Sequence, residues 1–479
     1  MASPNISFEQ LHSSIRKPGY YFEYNTKLAV RTLPANPQRV LVLGQMSEGA
    51  SAEPLTAIQF YDDQEAGLLF GFGSPAHRMA KAAIRANRFV DISAIGLPDE
   101  GAAIKASATI SIGGTVTTSG IVTVSVGNER INAPALQGDD AFSVAQAVAE
   151  MIKLEVELPI TAQAQAGAGD APATVTLTAK HPGASGNLIP IGVANSCAGL
   201  VITHTVMSGG QLDSKLTAAL DAVFAGDYQV FISQYATQEA LTQLREHLQA
   251  VSGPLEQRGG RGFAVSTASL AAATTLAGQI NEGRASLALL PGSSSLPWEI
   301  AAAYGAVVAS EEDPARPLNG LNLTGIAVPP VESRLGRTEQ ETALKNGVTP
   351  LEVGPGEVVQ IVRAISTYTK NSTGVDDVSL LDITTIATLD YVRKAVRERM
   401  ALRFPREKLS NRTPDKVRSE ALDVLFKIEE LEIIEEVEAN KDGVIVERDS
   451  QDNNRLNLRI PADVVNGLHV LAGRIDLLL

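Results

Sequence analysis

Arg39-Val40-Leu41-Val42-Leu43-Gly44 sets four large aliphatic side chains in a row and closes them with glycine. A half-exposed strand would alternate, so an unbroken apolar run this short reads as a strand buried on both faces. Downstream, Ala76 to Asn87 has helical spacing, and Phe89-Val90-Asp91-Ile92-Ser93-Ala94-Ile95 reads as a second strand. The rhythm stops near residue 98 and resumes near residue 212. There Leu212 to Phe224, Thr237 to Val251, Ala271 to Asn281 and Pro297 to Val308 read as helices, and the apolar runs beginning at Tyr228, Gly262 and Ala285 as strands. Alternating helices and all-apolar strands predict an α/β, doubly wound, largely parallel sheet over residues 37–97 and 209–344.

The interruption at 98–208 has a different character. From Thr109 to Val126, twelve of eighteen residues are Thr, Val or Ile. With Gly113-Gly114 and Gly120 as turn points, this predicts antiparallel hairpins. Asp139-Asp140 caps a short helix, Ala141 to Lys153, and Thr174 to Leu177 and Leu200 to Thr203 supply more strands. The segment is expected to be an inserted, β-rich α+β domain on the outer surface, joined at Leu97-Pro98 and Ser208-Gly209-Gly210 and separable from its host. Residues 1–36 keep no apolar period and read as an extended arm. A C-terminal α+β domain spans 345–479, with a helix opening at Thr413-Pro414 and running to about Val437, and strands at Leu456–Ile460 and Leu468–Leu479. The chain is thus an α/β plus α+β, multidomain protein.

Forty basic against fifty-four acidic residues give a net charge of −14, which argues against a coat for nucleic acid or an anionic membrane. A single cysteine, Cys197, excludes an intrachain disulfide and fits synthesis in a reducing compartment. The opening residues lack a signal-peptide pattern, and no apolar run approaches the ~20 residues of a membrane span.

Catalytic patterns are sparse. Gly44 to Gly49 has the glycine spacing of a phosphate loop, but Ala50 stands where the lysine belongs and Glu48 adds a repelling charge. Gly71-Phe72-Gly73 lacks the third glycine of a dinucleotide turn, and Pro75 behind it reads as a helix start. The six histidines have no metal-ligand spacing. No catalytic, cofactor or metal residue is assigned, and no enzyme activity is expected.

Charge segregation does stand out. Tyr391 to Glu420 carries ten basic and four acidic residues, a net of +6, and Ala421 to Ser450 carries three and ten, a net of −7. Ile386, Leu389, Val392, Val396 and Met400 recur at helical spacing as a buried stripe, which leaves Arg393, Lys394 and Arg397 together on another face. That face could grip an acidic partner, or pair within the subunit with Glu429 to Glu438.

The chain resembles the tail sheath proteins of contractile phages, in the Mu-like branch. The resemblance rests on Asp313-Pro314-Ala315-Arg316-Pro317-Leu318-Asn319, Gly325 to Pro330, Asn346-Gly347-Val348-Thr349-Pro350, Val362 to Tyr368, Leu381 to Thr385, Thr388 to Arg393 and Phe404 to Leu409. Lys17 to Glu23 looks like the family's Pro-Gly-aromatic opening, and His181 to Asn187 like a turn in the Mu-like insertion. The resemblance implies a structural subunit that polymerises helically, in stacked hexameric rings, around a tail tube and contracts to drive the tube through the host envelope. The partners it implies are further copies of the chain, the tube protein, and baseplate and terminator proteins, with no nucleic acid, membrane insertion or cofactor. It places the protein in the virion tail after assembly in the host cytoplasm. It also implies that strands are exchanged between neighbours through Gly19, Tyr20, Tyr21 and Phe22 of the arm and Val470, Ile475, Leu477 and Leu478 of the tail, and that Arg393, Lys394 and Arg397 face the tube. The alternatives are a doubly wound enzyme with an accessory domain, and a non-contractile scaffold or tube protein.

Overall fold

A computed structural model describes residues 16–22, 33–168 and 171–477. The chain divides into a larger unit, residues 36–392 with 432–435 and 462–479, and a smaller one, residues 1–35, 393–431 and 436–461.

The larger unit is built on an eight-stranded sheet in which Arg39–Gln45 lies between Val230–Ser233 and Asp91–Leu97. Beyond Val230–Ser233 come Arg261–Ser266, Ala285–Leu289 and Thr349–Gly354, and all these neighbours pair in parallel. Only the edge strands, Ala57–Gln59 and Val358–Ile361, run antiparallel. Successive side chains of Arg39–Gln45 enter opposite layers. Val40 and Val42 meet the helices Pro75–Ala86 and Pro297–Val308, whereas Leu41 and Leu43 share a core with Leu220, Leu244, Leu248 and Ile280. Both faces are covered, which is why the run has no polar member. Gly44 is not part of a loop. It sits inside the strand opposite Gly96, and a Cβ there would come within 2.9 Å of the Ala76 Cα, so glycine lets the helix pack directly on the sheet.

The helix expected from Leu212 shrinks to Thr217–Ala222, because Leu212 itself adopts a left-handed φ of 61°. Residues 98–208 form a four-stranded antiparallel sheet, a three-stranded one and the helix Ala141–Leu154, capped by the Asp140 carboxylate. Gly113-Gly114 is not a turn. Both residues lie within the fourteen-residue strand Lys105–Thr118, where Gly114 (φ 91°) faces the Gly199 carbonyl at a register shift against Ala198–His204. The glycine pair makes a bulge. The chain then changes sheets at Ser119, so Lys105–Thr118 and Gly120–Val126 belong to different sheets.

The insertion shares a core with its host. Ile110, Val124, Val148 and Val175 belong to one continuous core with Phe70, Met79 and Trp298 of the host. Pro297–Val308 is buried along its whole length as a result.

The smaller unit contains the helix Thr413–Glu430, the hairpin Ile445–Arg448/Leu456–Arg459 and the end of the helix Ile383–Arg403, which begins in the larger unit. Thr413 is the first helical residue rather than the cap, its hydroxyl bonding the Lys408 carbonyl at 2.7 Å, and the helix stops at Glu430. No helix among the described residues is long and apolar enough to cross a membrane.

Candidate assembly interface

Four elements carry the residues singled out in the sequence. The first is the arm, where Gly19 is exposed and Tyr20 and Phe22 are 96% and 88% exposed. Tyr21 turns back to donate its hydroxyl to the Lys17 carbonyl at 3.1 Å. The rest of the expected arm, residues 1–15 and 23–32, lies outside the described residues.

The second is the tail. Asp463–Val464 pairs with Ile434–Glu435, after which residues 465–477 enter no strand. The strand expected at Leu468–Leu479 is therefore absent as far as Leu477, since a strand exists only by virtue of a partner. Val470, Leu471, Ile475 and Leu477 are 80%, 87%, 99% and 83% exposed. Leu478 lies outside the described residues.

The third element was half expected, as the strand at Leu456–Ile460, whose partner Ile445–Arg448 was not. Ile445–Arg448 and Leu456–Arg459 form a sheet of only two strands, with no third strand among the described residues. The hairpin packs on the helix Thr413–Glu430, whose Arg418 donates to the Val444 carbonyl at 2.8 Å, and its edges are open to a further strand. Ile445 and Leu458 are exposed on it.

The fourth is the basic helix. Its buried positions include Thr388, Tyr391, Val392, Ala395, Val396 and Arg399, at helical spacing, while Leu389 is exposed. The stripe is rotated by about one residue from the expected one, because Thr388 and Arg399 count as polar in any hydropathy pattern yet are satisfied here. The guanidinium of Arg399 donates to Asp423 at 2.6 Å and to Glu420 at 3.2 Å, and Arg403 also reaches Glu420. These partners precede the acidic run expected to neutralise the helix. Within that run Glu429 accepts from the Val437 N–H and Glu438 pairs with Lys441. Arg393, Lys394 and Arg397 remain neighbours on the helix. Lys394 donates to the Ala35 carbonyl at 2.9 Å, Arg393 is half-buried and Arg397 is exposed.

The larger unit also holds two clusters of ionisable groups that no local sequence pattern marks, because the residues that touch are 54 to 221 residues apart. Ser47 Oγ lies 3.4 Å from His181 Nε2, and His181 Nδ1 lies 3.2 Å from Asp99. The order matches a catalytic triad, but the Ser47 N–H is committed to the Phe70 carbonyl and cannot stabilise an oxyanion. Gln45 donates to both Asp99 and the Pro182 carbonyl. The group clasps the insertion to the strand ends. In the second cluster, buried Arg78 meets Glu299 at 2.5 Å and the Glu157 carbonyl at 2.8 Å, while Lys81 pairs with the Glu157 carboxylate. Beside them, burial lowers the pKa of His77 to about 4, so the ring is neutral and its Nδ1 accepts from the Gly73 N–H.

Open strand edges and unpaired apolar ends define a subunit built to polymerise. The family model for the phage tail sheath protein central domain matches residues 210–367, and that for the phage tail sheath C-terminal domain matches 375–477. The Mu-like prophage FluMu tail sheath protein of Haemophilus influenzae is 30% identical, covering 99% of this chain and 100% of its own. The chain belongs to the phage tail sheath family and is a structural subunit of a contractile tail sheath. Its fold is similar to those of the sheath tail proteins of Desulfitobacterium hafniense (TM-score 0.51, 11% identity, 94% of this chain and 97% of that) and Listeria innocua (0.51, 12%, 92% and 95%). It is also similar to the sheath of an extracellular contractile injection system in its contracted state (0.51, 9%, 97% and 98%).

Proposed function

We propose that the chain polymerises helically, in stacked hexameric rings, around a tail tube and contracts to drive the tube through the host envelope. One observation carries the reading: among the described residues, the apolar segment 468–477 enters no strand and the hairpin Ile445–Arg448/Leu456–Arg459 has no third strand. Strand addition between neighbours satisfies both. Gly19 to Phe22 and Val470 to Leu478 are the donor segments, and the hairpin Ile445–Arg448/Leu456–Arg459 is the acceptor. Arg393, Lys394 and Arg397 face the tube. Residues 98–208 form the outer surface, and the two-sided helical cover of the parallel sheet supports reading residues 37–97 and 209–344 as a doubly wound body. The expected boundary at 345 falls too early, because Thr349–Gly354 and Val358–Ile361 complete that sheet, so the inner sheath domain expected at 345–479 begins only after it. Contraction needs no catalytic step or cofactor, because the energy is stored in the lattice at assembly and released on repacking. Besides other copies, the partners are the tube, baseplate and terminator proteins, met during assembly in the host cytoplasm.

Deleting residues 1–20, or 469–479, should leave a soluble, cooperatively folded monomer that fails to form cylinders in electron micrographs. Deletion variants that build normal sheaths would refute strand exchange.

A further inference from the structure

Within the exposed tail one side chain is held. His469 is 17% exposed, between Leu468 at 74% and Val470 at 80%. Its Nδ1 lies 3.1 Å from the Asn319 Oδ1 and its Nε2 lies 3.6 Å from Asp382. Asp382 is itself fixed by a two-pronged pair with Arg363, at 2.8 and 2.7 Å. Two residues earlier the backbone is pressed against the body, where a Cβ on Gly467 would come within 2.7 Å of Pro317. Burial and the nearby Arg363 lower the His469 pKa while Asp382 opposes them, so the ring is neutral at pH 7.

We propose that His469 is the anchor of the exchange strand: Asn319 holds its ring at Nδ1, beside the Arg363–Asp382 pair, so the tail leaves the subunit at a fixed point and the exchanged strand begins at Val470. The inference rests on the strand-exchange reading and adds a positioning residue to it. Every large apolar side chain described beyond the anchor is exposed, whereas the chain before it is tied by Asp463–Val464 and by the Val465 N–H to the Ile433 carbonyl. A tether of fixed origin raises the concentration of the strand at its acceptor, and that concentration falls roughly as the −3/2 power of free tether length. Releasing His469 moves the last attachment back to Val465. The free linker then grows from about one residue to about five, and strand capture should slow on the order of tenfold.

The test has two arms. In the full-length monomer, with Cys197→Ala, a spin label at Asn466→Cys should give a restricted spectrum and one at Ala472→Cys a mobile spectrum. His469→Ala should make both mobile, and His469→Gln, which can still hydrogen-bond to Asn319, should restore restriction at 466. In the second arm, His469→Ala should slow sheath assembly about tenfold and His469→Gln should recover most of the rate. An Asn466 label that is mobile in the parent, or unchanged by His469→Ala, overturns the anchor. Release at 466 with an unchanged assembly rate overturns its role in exchange. Normal assembly after deletion of 469–479 instead refutes strand exchange itself, whatever the spin labels report.

Discussion

Replacing Glu299 with glutamine removes the anion that neutralises Arg78 while keeping an oxygen for the Leu296 N–H, which the Glu299 carboxylate accepts at 3.2 Å. Arg78 is 5% exposed and cannot reach water by a rotamer change. It keeps the Glu157 carbonyl and a distant, half-exposed Glu129 at 3.9 Å, neither of which replaces a charge at 2.5 Å. Stranding one member of a buried ion pair costs about 3–5 kcal/mol, and the surviving carbonyl bond places this case near 3. Arg78→Met with Glu299→Gln removes both charges, and because the pair itself has little net value the double variant should lose only about 1–2 kcal/mol. Trp298, the chain's single tryptophan, is buried next to Glu299 and reports locally. The assay is the urea transition of Trp298 fluorescence in the polymerisation-deficient monomer. A Glu299→Gln transition within about 1 kcal/mol of the parent, or a double variant as unstable as the single one, would refute the claim that Glu299 neutralises a buried Arg78 between the two body helices.

Acid should unfold the subunit early: His77 and His247 are neutral when folded, with burial lowering both to about 4 from an ordinary 6.5. Between those values the unfolded chain binds protons that the folded one refuses, so stability is full above pH ~6.5 and falls by roughly 3 kcal/mol per histidine toward pH ~4. His247→Phe, in a pocket already lined by Phe224 and Phe231, should flatten part of that acid limb, and an unchanged pH profile of the urea midpoint would contradict it. Replacing residues 98–208 with a Gly/Ser linker should yield insoluble protein, because it uncovers a shared core and deprives Arg78 of its Glu157 contact. A soluble product with a single sharp melting transition would overturn this. Reversing Arg393, Lys394 and Arg397 to glutamate should abolish coating of tubes at moderate salt in a pelleting assay. Normal coating would exclude the lumenal assignment.

Five of the eight strands of the central sheet were legible because each is apolar on both faces, a pattern independent of what lies across the sheet, whereas Ala57–Gln59, Thr349–Gly354 and Val358–Ile361 are partly exposed and gave no such run. The helix start capped by Asp140 was legible for a similar reason, since a cap acts within four residues. Gly113-Gly114 was misread because glycine serves a turn and a bulge equally well, and only Gly199, some eighty-five residues on, decides between them. The same limit hid Arg78–Glu299 and His469–Asn319, whose partners are 221 and 150 residues apart. The stripe of the basic helix was offset because Arg399 is buried through Glu420 and Asp423, and no hydropathy pattern scores a neutralised arginine as interior.

The tail was read as a strand exchanged with a neighbour, and as far as Leu477 it enters no strand within the subunit, which bears on contraction. Burying Val470, Leu471, Ile475 and Leu477 against a neighbour should contribute roughly 1.5–3 kcal/mol per side chain before ordering costs. That is several kilocalories per subunit, independent of salt and lost only if the strand leaves its acceptor. A grip through Arg393, Lys394 and Arg397 has the opposite character: each exposed pair is worth about 1 kcal/mol at most, weakens with ionic strength and breaks without exposing apolar surface. A sheath that must slide off its tube yet stay in one piece requires that inequality. On the proposed reading the subunit–subunit links are the hinges that persist through contraction, and the charged links to the tube are the ones released. High salt should accordingly strip sheaths from tubes as intact cylinders. Salt that instead dissolved sheaths into monomers while tubes stayed coated with fragments would show the order of strengths to be reversed.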